Sequence, residues 1–183
     1  MRQELGRRAD LAVTGFSSRA KGFWDFLPQD DGVYRPTNIA EVSIRGIEVA
    51  SHVRVTPSFS VEAAYSFTDA TYHRFTGNDD AVGNRLDDNV KHQVSGALSY
   101  LWAKGHSLRA ELRHNGDRVT DPNDPPGSRL DPWTVVDLSG ALRVSPLVEI
   151  SATLRNVLNE DYRTRPEFRQ AGRSIYGSVR LVW

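Results

Sequence analysis

The chain has 183 residues, 39% hydrophobic and 25% charged, with 23 Lys and Arg against 23 Asp and Glu. A net charge of zero gives no electrostatic case for nucleic acid, which calls for Lys and Arg in excess on one face to displace counterions from phosphates. No run approaches the roughly 18 consecutive apolar residues of a membrane-spanning helix, and the absence of Cys excludes disulfides, thiolate metal sites and a thiol nucleophile. A mean hydropathy of −0.48 still admits a transmembrane barrel, because the strands of one alternate between lipid-facing and lumen-facing side chains.

The N-terminal run Met1–Phe16 has arginines but lacks the apolar core, roughly 7–15 residues long, of a signal peptide. For a protein of the outer membrane, the expectation is therefore a fragment whose upstream part is missing. A first strand is predicted over Asp10–Ser17, followed by a long polar loop from Arg19 to Asn38. Ile39–Val55 then reads as one long strand whose apolar phase flips at Gly46, from Val42 and Ile44 to Ile47, Val49, Val53 and Val55. A glycine at a phase flip predicts a β-bulge.

Past a tight turn at Thr56-Pro57-Ser58, residues Phe59 to Thr68 put Phe59, Val61, Ala63, Tyr65 and Phe67 on one face and Ser60, Glu62, Ala64, Ser66 and Thr68 on the other. A period of two is a strand. The same alternation recurs over His92–Trp102, Ser107–His114, Val135–Val144, Val148–Asn156 and Ser174–Trp183. Short turns at Ala103–His106 and Ser145–Leu147 alternate with long connections at His73–Lys91, Gly116–Asp131 and Asn159–Arg173. Alternating short and long connections are the pattern of an outer-membrane barrel, with the short turns periplasmic and the long loops outside. The fold expected is all-β, an antiparallel up-and-down transmembrane barrel, of which residues 1–183 supply about the last eight strands. In isolation these would form an open partial barrel or a small closed one.

In that arrangement the apolar faces meet lipid, with Tyr65, Phe67, Tyr100, Trp102 and Trp183 in aromatic girdles. The opposite faces carry Glu48, His52, Arg54, Glu62, Arg109, Glu111, Arg113, Asp137, Arg143, Glu149, Arg155 and Arg180. Charges of both signs suit a wet or plugged lumen, because unpaired buried charge is costly.

Candidate ligand contacts lie in the outer loops. Trp24, Phe26 and Tyr34, with Phe23 beside them, could grip a solute by stacking, or could pack on their own loop or at the membrane edge. Tyr72, His73 and Phe75 stand near Asp79, Asp80, Asp87 and Asp88, where clustered carboxylates lack the spacing of a calcium loop. Five histidines are scattered without a paired zinc motif, and no nucleophile elbow or phosphate-cradling loop occurs. Neither a cofactor, a resident metal nor a catalytic residue is expected.

Specific stretches resemble TonB-dependent receptors. Asn156–Tyr162 (NVLNEDY) is similar to the segment that ends the family's penultimate strand, with Leu158 where Phe is usual. Ala171–Trp183 resembles its closing strand, opened by Gly172 and Arg173 and ended by an aromatic residue. Ile44–Ala70 resembles a glycine-any-glutamate strand (Gly46, Glu48), a short turn and an ascending strand that ends Tyr-Ser-Phe-Thr-Asp-Ala. The resemblance implies a 22-stranded outer-membrane barrel filled by an N-terminal plug. Such a receptor takes up scarce solutes, a ferric siderophore first and cobalamin or sugars next, with energy from TonB through the plug. It further implies partners in the outer-membrane lipid and in the barrel assembly machinery, which would read Trp183. Neither plug nor TonB box is recognised in this sequence, so the segment alone is expected to be inactive. The alternative is a free-standing eight-stranded outer-membrane barrel with a structural or adhesive role.

Overall fold

Alternating side chains and hairpin turns place consecutive strands side by side. The computed structural model describes residues 2–4, 8–28, 32–102 and 105–181, with residues 2–4, 23, 25–28, 37 and 39 by backbone alone. Its strands are β1 (Arg2–Glu4), β2 (Ala9–Pro28), β3 (Tyr34–Arg54), β4 (Phe59–Phe75), β5 (His92–Trp102), β6 (His106–Asn115), β7 (Arg118–Val119), β8 (Arg129–Leu130), β9 (Trp133–Ser145), β10 (Val148–Arg155), β11 (Arg163–Arg165), β12 (Phe168–Arg169) and β13 (Ser174–Leu181). Nine of these form one antiparallel sheet in the order β1-β2-β3-β4-β5-β6-β9-β10-β13, while β7–β8 and β11–β12 are small hairpins within long loops. Among the described residues no ladder joins β13 to β1 or β2, so the sheet is the open partial barrel of the two forms expected.

The first strands are taller than the sequence suggests. Where a loop is expected from Arg19 to Asn38, β2 runs to Pro28 and pairs with β3 as far as Pro28↔Tyr34. Gly22, at φ +82°, lets the ladder absorb a register shift between Lys21 and Trp24, after which pairing resumes. The two strands have 20 and 21 residues. At about 3.3 Å per residue each is roughly twice the length that crosses a bilayer, so their upper halves stand above it.

Gly46 corrects a second expectation. The ladder passes it with Phe16↔Gly46↔Thr68 in unbroken register, and the nearest shift on the β4 side lies between Glu41 and Val42. No bulge exists there. A Cβ at Gly46 would overlap the Phe67 carbonyl oxygen and the Phe16 ring, so the glycine makes room for close backbone packing under an aromatic ring. With the period unbroken, Val42 and Ile44 share a face with Glu48 and His52, whereas Ile47, Val49 and Val53 occupy the other.

The apolar residues of the upper half are therefore on the inner face, and something must cover them. Ala40, Val42, Ala70, Tyr72 and Ala81 form a buried cluster, with Ile44, Phe75 and Leu86 packed against it. The cover is the segment 76–91, which returns along β4 through Gly83 N–H to the Tyr72 carbonyl (2.8 Å), Tyr72 N–H to the Asn84 carbonyl (3.0 Å) and Leu86 N–H to the Ala70 carbonyl (2.9 Å).

Lower down, the outer face is apolar and exposed, carrying Val94, Leu98, Leu108, Leu112, Leu138, Leu142, Ile150, Ile175, Val179 and Leu181. An aromatic group bounds it at each end. Above, Tyr65 Oη lies 2.9 Å from His92 Nδ1 and the Phe67 and His92 rings are 5.2 Å apart; below, Tyr100 stacks on Trp102 at 5.6 Å and Trp102 meets His106 at 5.4 Å. From His92 to Trp102 along β5 is roughly 34 Å at about 3.4 Å per residue, and a tilt of about 40° reduces this to roughly 25 Å, the height of a barrel's lipid-facing band. Tyr65, Phe67, Tyr100 and Trp102 thus hold the girdle positions expected of them. Trp183 lies outside the described residues.

Candidate functional site

The inner face is concave because its middle rungs are small. Ala12, Ala50, Ala64, Ser95 and Ala97 floor a depression edged by Asp10, His52, Glu62, Arg109, Glu111 and Arg113. Strand pairing sets His52 opposite Glu62 and Glu62 opposite Ala97, with Ala97 in turn opposite Glu111. Arg109 reaches across these strands. Its Nη2 donates to Glu62 Oε2 at 3.0 Å, its Nη1 to Ser99 Oγ at 2.7 Å, and its Nε to Glu111 Oε1 at 2.6 Å. His52 Nδ1 is 3.5 Å from Asp10 Oδ2, and Arg113 Nη2 is 2.9 Å from Asp137 Oδ2. Paired charges on one side of a sheet and bare aliphatics on the other are what separates an aqueous interior from lipid. No group of three or more metal-ligating side chains is found among the described residues.

Above this wall, three loops are stitched together laterally. Val90 bridges to Arg118, and Asp88 N–H donates to the Val119 carbonyl at 2.9 Å, joining the loop after β4 to the loop after β6. Asp117 accepts from Arg85 Nη1 (2.7 Å) and Arg129 Nη1 (3.0 Å), and Arg118 Nη1 donates to the Thr164 carbonyl (2.5 Å), joining the last loop. Arg129 also holds Asp124, and its hydrogen-bonded guanidinium keeps that carboxyl below the usual carboxylate range. Arg169 does the same for Asp161 through bonds of 2.7 and 2.6 Å.

The six candidate ligand contacts fall into two groups. Trp24 and Tyr34 stand 63% and 64% exposed on the tall β2–β3 hairpin, where Phe26 pairs with Pro36; the Phe26 side chain lies outside the description. Tyr72 is only 5% exposed, donates its hydroxyl to Asp87 and meets the Phe75 ring edge-on at 5.2 Å. Burial, and then the Asp87 carboxylate, raise the Tyr72 phenol above its ordinary value. His73 is exposed, as the unpaired residue at the register shift between the Val42↔Tyr72 and Glu41↔Arg74 pairs.

Asn156 is a position that residue-type reasoning does not single out. It is buried, with φ +49°, and its side chain acts as a clamp. Nδ2 donates to the carbonyls of Glu160 (2.8 Å) and Ala171 (3.2 Å), while Oδ1 accepts from Glu160 N–H (2.8 Å). Its own N–H donates to Asp137 Oδ1 at 2.8 Å, tying the clamp to the inner wall. Asn159, at φ +56°, accepts from Arg173 N–H at 3.0 Å, so NVLNEDY fixes both ends of the last loop. Asparagine tolerates the left-handed region and offers donor and acceptor together, which is the signal that marks both positions. Tyr162 then packs on Trp133 with ring centroids 4.5 Å apart.

Residues 4–157 match the family described as TonB dependent receptor-like, beta-barrel. A comparison with curated proteins finds no match. Among solved structures, the chain is similar to the siderophore receptor PiuA from Acinetobacter baumannii (TM-score 0.79, 16% identity, 97% of this chain and 26% of that one). It is also similar to the ferric-catecholate import receptor Fiu from E. coli K12 (0.74, 18%, 97% and 26%). A third similar structure is the ferric yersiniabactin uptake receptor FyuA from Yersinia pestis (0.74, 16%, 97% and 27%). The chain thus spans about a quarter of the length of these receptors, and at such identities the likeness is one of fold.

Proposed function

The chain belongs to the TonB-dependent receptor β-barrel family, and on that premise we propose that it forms part of the wall of an outer-membrane receptor that takes up a scarce solute, a ferric siderophore first, with cobalamin or sugars the next candidates. One observation carries the proposal. A roughly 25 Å apolar band between two aromatic groups covers one face, while paired charges edge a concavity on the other, the division expected of a wall between lipid and a polar interior. In this proposal the energy comes from TonB through a plug outside this chain, and the barrel assembly machinery reads the final strand with its terminal Trp183.

The tall hairpin and the stitched loops make up the outer rim. Trp24, Phe26 and Tyr34 are proposed as ligand contacts on that rim, flanked by His73 on β4. Rigid rings offer large contact area at low entropic cost. Tyr72 and Phe75 contribute by holding segment 76–91 in place.

The test is uptake of radiolabelled iron by iron-starved cells that make the plugged receptor of whose wall this chain is part, with and without TonB. Ferric-siderophore uptake that requires both is expected, and a Trp24→Ala, Tyr34→Ala double variant should lower it several-fold at limiting substrate. Uptake of siderophores, cobalamin and sugars unchanged on deleting the gene would overturn the proposal.

A further inference from the structure

The chain is neutral overall, yet its outer face is not neutral just above the apolar band. Starting from the Ile47↔Phe67 rung, the next outward-facing rung is Arg45↔Asp69, followed by the level of Ser43 and Thr71, with Arg19 beside Ser43 on β2. Two residues of strand separate successive outward-facing rungs, so Arg45 sits about 5 Å above the last apolar rung once tilt is allowed for. That is the height at which a bilayer's headgroups begin.

Asp69 lies underneath two cations. Arg45 Nε and Nη2 contact its Oδ2 at 3.0 and 2.8 Å, and Lys91 Nζ its Oδ1 at 3.3 Å. The carboxylate is 13% exposed, whereas the Arg45 side chain is 76% and the Lys91 side chain 34% exposed. Arg45 Nη1 is not used by Asp69, and an ammonium has three protons to give. Lys91 also lies 5.5 Å over the Phe67 ring, placing its charge at the seam between aromatic belt and polar zone. Arg19, Arg45 and Asp69 line a shallow depression together with the hydroxyl-bearing Ser43 and Thr71, and Lys91 stands beside it, on the other oxygen of the Asp69 carboxylate.

We propose that the phosphate of a lipid headgroup in the leaflet on the long-loop side binds at the mouth of this depression, between Arg45, which lines it, and Lys91 beside it, with Asp69 as the residue that fixes both. A guanidinium with a free amino group beside an ammonium matches a phosphate's several acceptor oxygens. The acyl chains of the same lipid would lie along Ile47 and Phe67, which a soluble phosphate does not exploit. The inference rests on the membrane orientation of the sheet and not on the identity of any transported solute, so failure of the uptake experiment leaves it standing.

The test uses the whole chain in detergent micelles, titrated with phosphatidic acid or with diacylglycerol of the same acyl chains, with retained lipid counted by native mass spectrometry. Preferential retention of phosphatidic acid is expected, and inorganic phosphate at equal concentration should not displace it. The Arg45→Gln, Lys91→Gln double variant should bind roughly 30-fold more weakly, at about fivefold per cation, whereas Arg180→Gln on the inner face should bind as the unaltered chain does. Equal retention of the two lipids by the unaltered chain would sink the proposal, as would displacement by inorganic phosphate or undiminished binding by the folded double variant.

Discussion

The two ends of the sheet rise above the membrane by different means. In β2 and β3, strands of 20 and 21 residues, the backbone ladder itself continues upward as far as Pro28↔Tyr34. In β10 and β13 the ladder has 8 residues each, and the structure above it is a loop held by single side chains, Asn156 and Asn159 foremost. A ladder distributes its hydrogen bonds over many residues whose identity matters little, while a clamp concentrates them in one residue whose identity matters a great deal. The first sector should therefore tolerate substitution along its length except where two backbones meet closely, and the second should fail at one point.

Replacing the clamp breaks the comparison most severely. Asn156→Ala removes three side-chain hydrogen bonds at a buried, left-handed position and leaves the Glu160 and Ala171 backbone groups unpaired. A loss of about 3–4 kcal/mol is expected in urea unfolding from lipid vesicles, with Asn156→Gly only slightly milder because it restores the backbone freedom but not the bonds.

The ladder sector has its counterpart at Gly46. Gly46→Ala puts a methyl group against the Phe67 carbonyl and the Phe16 ring, for a loss of about 1–3 kcal/mol in the same measurement. Adding Phe16→Ala should recover part of that loss, since it removes one of the two obstacles; no recovery would show that the backbone contact alone decides the site.

The smallest effect is a pH dependence in segment 76–91. The Tyr72 phenol, above the bilayer, is raised from its ordinary value near 10, so the proton is held more tightly in the folded state. Its contribution is complete below pH 10 and is lost as pH rises through the raised value. Amide exchange in residues 83–91, corrected for its intrinsic rate, should accelerate above pH 10 in the native chain. Tyr72→Phe should show a modest loss of protection, of about 1–2 kcal/mol, with that alkaline acceleration removed.

Much of the fold is legible in the residues because alternation is a local property. Phe59–Thr68 and Val148–Asn156 announce strands and faces from their own side chains, and Tyr65, Phe67, Tyr100 and Trp102 mark where the band ends. The rim was less legible. Residues 19–38 look like a loop because polar and aromatic residues are mixed without a clear period, yet 19–28 and 34–38 belong to paired strands, each edge satisfying the other's backbone.

Sequence alone determined the period of two, the order of short and long connections, the assignment of charge to one face and aliphatics to the other, and the NVLNEDY signature. Only the tertiary structure decided which face Val42 and Ile44 occupy, because an apolar residue on a strand reads as lipid-facing until the distant segment that covers it is known, here 76–91. It likewise decided that Gly46 accommodates a ring instead of a bulge, and that Asp69 sits beneath Arg45 and Lys91. Each of these depends on what lies across the sheet, and that is set by register between strands far apart in the chain.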